Sequence, residues 1–182
     1  MSVSEGARII WVLFGEMTDF ESDVDKLKDA YRRHSRVASE RGYTLGLPKY
    51  FQTKRTLLTL LRDRATRALI WHSHGAYTGW GPKGNIVDRE KVEISPADLE
   101  GLGLQLDFAA VFGCAIAKDA ERYKAWKRAL GLARYPGGYG TFASRMIADT
   151  EKTWFWGRRY GRLEPAAQKF AEYQFPRWVA DL

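Results

Sequence analysis

Three apolar runs limit what this chain can fold into. Ala7–Phe14 reads ARIIWVLF, Ala68–Ser73 reads ALIWHS and Phe108–Phe112 reads FAAVF. Each is continuous rather than alternating, and each is rich in β-branched and aromatic residues. Such runs are strands buried on both faces, and strands of that kind belong to parallel sheets covered by helices. All are far too short to cross a bilayer.

The segments between the runs supply the helices. Gly15 ends the first strand, Thr18 or Asp19 is placed to cap a helix, and Phe20, Val24, Leu27, Tyr31 and His34 recur at helical spacing. This predicts a helix from Phe20 to about Glu40, stopped by Gly42. YTLGLPKYF is a weak second strand that Pro48 confines to an edge. Thr53 caps a helix carrying Leu57, Leu58, Leu60 and Leu61. Gly75, Gly79, Gly81 and Gly84 mark a hairpin that closes near NIVD. Ser95 caps a short helix with Pro96 in its first position. Ala120–Leu132 is helical, PGGYGTFAS gives a turn and a strand, and the chain is mostly helical from about Ile147, broken near Gly161–Pro165 and at Pro176. Trp154, Phe155, Trp156, Phe170 and Tyr173 read as core and interface packing. This alternation predicts an α/β fold, a three-layer α-β-α sandwich with a mostly parallel central sheet. With 182 residues and no linker or repeat, residues 1–182 read as a single domain.

Composition narrows the function classes. The net charge of +7 and pI of about 9.5 favour acidic partners at long range. The arginines and lysines are scattered and no nucleic-acid motif accompanies them, so no specific nucleic-acid partner is expected. The N-terminal stretch MSVSEGARIIW has neither a basic region before its apolar residues nor a cleavage pattern, which predicts an unprocessed, cytoplasmic chain without a membrane span. Cys114 is the single cysteine, so no intramolecular disulfide forms. A zinc site would have to join Cys114, His72, His74 and a distant carboxylate without metal-type spacing. No metal and no cofactor are expected.

In open parallel sheets the site lies beyond the carboxyl ends of the strands. Two buried strands end there in reactive residues, one in His74-Gly75 and the other in Gly113-Cys114. Singly, Cys114 fits a small buried hydrophobe and His74 a strand-end histidine. Jointly, at equivalent strand ends, they fit a nucleophile and its base. A free thiol is mostly protonated at neutral pH, and an imidazole beside it takes the proton and returns it to a leaving amine. Backbone N–H groups of the glycine-containing turns would stabilise the oxyanion. His72 shares a strand face with His74 and reads as buried support.

On these residues the chain resembles the caspase-haemoglobinase fold of cysteine peptidases, which includes caspases, gingipain- and clostripain-like enzymes, separases and CHAT-domain proteases. ALIWHSHG and FAAVFGCA match that family's His-Gly and Cys strands. SPADLEGLGLQLDFAAVFGCA resembles the CHAT-type approach to the cysteine, and GGYGTFASRMIADTEKTWFW the strand and helix beyond it. The similarity in order runs from Arg8 to Tyr173. It implies a Cys-His dyad with Cys114 as nucleophile, His74 as base and an oxyanion hole from the N–H groups of Gly75 and Cys114. Arg145 lies near the position where caspases hold an acidic substrate residue. Phe112-Gly113 replaces the caspase Gln-Ala pair, and Ala115-Ile116-Ala117-Lys118 replaces the Ser/Thr-Gly that often follows the cysteine. The resemblance implies an endopeptidase acting on a protein or peptide substrate through a thioester, under control of a regulatory protein partner. The alternative is a catalytically inactive caspase-like scaffold or regulatory interaction module.

Overall fold

We describe residues 6–78, 81–113, 116, 119–132, 146–148 and 165–182 from a computed structural model. The three apolar runs are β1 (Arg8–Phe14), β3 (Thr66–His72) and β7 (Phe108–Phe112). They lie side by side in one sheet of order β2-β1-β3-β7-β8, with β2 (Tyr43–Gly46) and β8 (Met146–Ala148) at the two ends of the order. Every pairing in it is parallel. A second, antiparallel sheet contains β4 (Gly75–Thr78), β5 (Gly81–Val87) and β6 (Glu93–Ile94). Its first two strands are the hairpin that the glycines predict.

Helices cover both faces of the parallel sheet because side chains alternate along each strand. Ile10, Val12, Phe14, Ile70, Phe108, Ala110 and Phe112 point to one side. There they meet Val24, Leu27 and Tyr31 of α1 (Glu21–Arg33), with Phe170, Phe175 and Trp178 from the C-terminal helical segment. Leu13, Leu69, Trp71, Ala109 and Val111 point to the other. They pack on Leu57 and Leu61 of α3 (Lys54–Arg62), Leu99 of α4 (Ala97–Glu100), and Tyr123 and Trp126 of α5 (Ala120–Ala129). Each large side chain so buried contributes about 1.5–3 kcal/mol. Among the described residues, no helix is long and apolar enough to cross a membrane.

Local signals place several boundaries. The Thr53 hydroxyl accepts from the Thr56 N–H at 3.2 Å and starts α3. Asp119 accepts from the Arg122 N–H at 2.7 Å and starts α5. Gly42 takes φ +75°, which a side chain would resist, and turns the chain into β2.

Other boundaries differ from the sequence reading. The helix expected over Phe20–Glu40 is a 3₁₀ turn (Thr18–Phe20), then α1, then α2 (Ser35–Glu40) after a break at His34. Neither Thr18 nor Asp19 caps α1; Phe20 occupies that position without a side-chain bond. The Thr18 hydroxyl donates instead to Glu16 Oε1 at 2.5 Å, a charged acceptor nearer at hand. At α4 the capping roles are reversed. Ser95 donates its N–H and hydroxyl to Asp98 Oδ2 at 2.8 and 3.0 Å, and Lys54 Nζ binds Oδ1 at 2.7 Å. A carboxylate is the stronger acceptor, so it reaches back to the serine.

The strand expected in PGGYGTFAS falls among residues 133–145, outside the described residues. The strand observed is β8, so Ile147 opens no helix. Ala110 pairs with Ile147 there, in keeping with the strand preference of a β-branched residue. Pro176 does not break the C-terminal helix. It sits in the first turn of α7 (Phe175–Ala180), directly after a π turn (Phe170–Gln174) that joins that helix to α6 (Pro165–Lys169). Phe170 is buried, whereas Tyr173 is 60% exposed and packs in no core. Trp154, Phe155 and Trp156 lie outside the described residues.

Candidate functional site

The three central strands finish alike. Phe14-Gly15-Glu16, His72-Ser73-His74 and Phe112-Gly113-Cys114 each run from a ring through a small residue to a functional group. The register aligns them, with Phe14 opposite His72 and His72 opposite Phe112. The His72 ring stacks on Phe14 at 5.0 Å and on Phe112 at 4.8 Å between centroids. Pairing runs one residue further on both sides: Gly15 N–H donates to His72 O at 2.8 Å and Ser73 N–H to Phe112 O at 2.9 Å.

The small middle residues make room for β5, which crosses the strand ends. Val87 O accepts from the Glu16 N–H at 3.3 Å, and the Val87 N–H donates to His74 O at 3.2 Å. A Cβ on Gly15 would overlap Val87 O and stand 2.6 Å from Trp71 Cζ2; one on Gly113 would stand 2.9 Å from Ile86 Cγ2. Gly15→Ala is therefore expected to cost about 2–3 kcal/mol, read as a lower urea midpoint at unchanged m-value. A midpoint equal to wild type would show that β5 yields freely.

His72 is the buried support that the sequence suggests. It is 1% exposed, and its Nε2 lies 2.9 Å from the Tyr31 hydroxyl. Burial pushes its pKa down to about 3, so the ring is neutral. Burial likewise raises the Tyr31 pKa and keeps its hydroxyl protonated.

His74 is placed differently. Its N–H donates to Glu16 O at 3.0 Å, and its carbonyl accepts from Ser73 Oγ at 2.8 Å. The side chain is 35% exposed. Its Nε2 is enclosed and has no hydrogen-bond partner. The nearest carboxylate oxygen, Glu16 Oε2, stands 3.8 Å away. Phe20 tilts against the imidazole at 5.5 Å. Glu16 is itself buried, and its other oxygen accepts from the Thr18 N–H and hydroxyl. An imidazole with one nitrogen towards a carboxylate and part of its ring open is suited to proton transfer.

Gly75 comes next, at the start of β4, opposite Ile86. Cys114 and Arg145 lie outside the described residues. The structure thus brings His74 and Gly75 to the strand end next to the one that Cys114 follows in sequence. Sequence reading missed Glu16. Its signal was the shared ending, since Phe-Gly precedes Glu16 just as it precedes Cys114.

A cleft of about 440 Å³ opens at the other end of the sheet, lined among others by Arg62, Arg64, Arg67, Leu102 and Gln105. It contains no histidine; Arg62 and Arg64 flank the carboxyl end of α3, where cations are favoured without any ligand, and Arg67 is bound to Asp107. Among the described residues, no group of three or more His, Cys, Asp or Glu side chains is placed to hold a metal. No protein-family model, curated protein or solved structure matches the chain significantly.

Proposed function

We propose that this protein is a caspase-like cysteine endopeptidase built on a three-layer α-β-α sandwich, with His74 and Cys114 as its dyad. The observation that carries the reading is the parallel register of β3 with β7, because residues 74 and 114 each stand two positions past the His72–Phe112 pair. The resemblance of ALIWHSHG and FAAVFGCA to the family's two site strands supports it.

In this reading the Cys114 thiol gives its proton to His74, and the sulfur bonds to the scissile carbonyl carbon. The N–H groups of Gly75 and Cys114 stabilise the resulting oxyanion. The C–N bond then breaks as the imidazolium returns the proton to the leaving amine. Water, deprotonated by His74, hydrolyses the thioester and restores the thiol. Arg145 would meet an acidic substrate side chain. The working location is cytoplasmic, under a regulatory protein partner.

The test is labelling by a peptide-based electrophile together with cleavage of a peptide library. Cys114→Ala should abolish both, and His74→Ala should slow labelling by about 10²–10⁴-fold. A thiol that reacts equally fast with and without His74, and no Cys114-dependent product, would replace this reading by the inactive scaffold.

A further inference from the structure

We infer that Glu16 is a positioning residue for His74: it accepts the N–H at Nε2 and so makes Nδ1 the nitrogen that exchanges protons with substrate and thiol. The inference rests on the peptidase reading for its purpose, and on the geometry of two adjacent strand ends for its substance. Glu16 stands two residues past Phe14, and His74 two past His72, the residue paired with Phe14. Their main chains are joined directly, His74 N–H to Glu16 O, and both are held by Val87. Thr18 occupies Oε1 through two donors and leaves Oε2 on the imidazole side.

Nε2 is enclosed and without a hydrogen bond, while the ring as a whole is about one-third open. The exposure of the side chain therefore belongs to atoms other than Nε2. An enclosed ring nitrogen facing a carboxylate is best satisfied as an N–H donor. Closing the 3.8 Å gap by about 1 Å makes a charge-assisted bond. That bond fixes one tautomer, leaving the Nδ1 lone pair as base. During catalysis the proton of Cys114 passes to Nδ1, the imidazolium keeps its Nε2–H on Glu16, and the Nδ1 proton leaves with the amine. Glu16 touches no reacting atom.

Nitrogen-15 spectra of histidine-labelled full-length protein test this directly, since the chain holds only three histidines. The wild type should show His74 as the Nε2–H tautomer, without any substrate present. Glu16→Ala should give a mixture of tautomers and lower kcat on the order of 10²-fold or more with little change in KM. Glu16→Gln, which keeps an acceptor, should retain the tautomer and lose less. Thr18→Ala loosens the same turn but leaves Oε2 in place, so the tautomer should persist; loss of the tautomer there as well would reduce Glu16 to a structural role. An Nδ1–H tautomer in the wild type overturns the inference even if Glu16→Ala fails to fold. Cleavage that depends on Cys114, found together with that tautomer, would leave the peptidase reading standing. The Nε2–H tautomer without such cleavage would support the Glu16–His74 pairing and remove the peptidase.

Discussion

Lowering the pH from 7 to 4 is expected to remove about 3 kcal/mol of stability through His72 alone. The native ring titrates at about 3 because burial disfavours its charged form. In the unfolded chain a histidine titrates near ~6.5. Between those values the unfolded state takes up a proton that the native state refuses. The contribution is therefore complete above the unfolded value and is lost by ~1.4 kcal/mol per pH step as the pH falls towards the native one. Acidic groups with depressed pKa values, Asp107 among them, act in the same direction at lower pH, so a variant is needed to isolate the histidine. His72→Phe keeps a ring between Phe14 and Phe112 but strands the Tyr31 hydroxyl, costing about 1–3 kcal/mol at pH 7. Denaturant titrations from pH 7 to 4 should show the wild type losing stability faster than this variant until the two curves approach or cross. Parallel curves would mean that the imidazole is protonated in the native state.

Asp107→Ala is expected to cost about 2–4 kcal/mol. This carboxylate, 7% exposed, ties four strands together at the amino end of the parallel sheet. Arg67 of β3 donates to both its oxygens, at 2.6 and 3.1 Å. Arg8 of β1 adds a bond at 3.2 Å and the Tyr43 hydroxyl of β2 one at 2.8 Å, while Asp107 itself leads into β7. Burial pushes its pKa up, yet hydrogen bonds from Arg67 and Tyr43 and the two guanidinium charges hold it below the ordinary carboxylate value. Removing a buried partner typically costs about 3–5 kcal/mol. Arg8 and Arg67 are 39% and 30% exposed, so water recovers part of that loss. Asp107→Asn keeps an acceptor for Tyr43 and should lose less than the alanine variant. A calorimetric transition of Asp107→Ala within a degree of wild type would show that the four strands do not depend on this carboxylate.

Much of the sheet was legible because its information is local. Continuous apolar runs announce β1, β3 and β7, and Thr53 and Gly42 act within a few residues of themselves. Where the sequence misled, a distant partner decided. Thr18 turns from helix capping to Glu16, and Ser95 gives its protons to Asp98. Ile147 is drawn into the sheet by pairing with β7. The candidate site divides in the same way. His74 and Gly75 are visible as the end of a buried run. The part of Glu16 depends on β1 and β3 being neighbours, although 58 positions separate Glu16 from His74, and no window along the chain reports that.

The stacked rings of Phe14, His72 and Phe112 also bear on how such a chain can diverge. The loops that lead away from them can lengthen or shrink over generations without moving the strand ends, because the spacing is kept by the sheet. A single codon gained or lost between residues 14 and 16, or between 72 and 74, is another matter. It would turn the next side chain to the opposite face. Descendants of this chain should therefore tolerate length changes in the connecting loops far better than within the paired strands or in the windows 14–16, 72–74 and 112–114 that follow them, and those windows, more than overall identity, would reveal common ancestry.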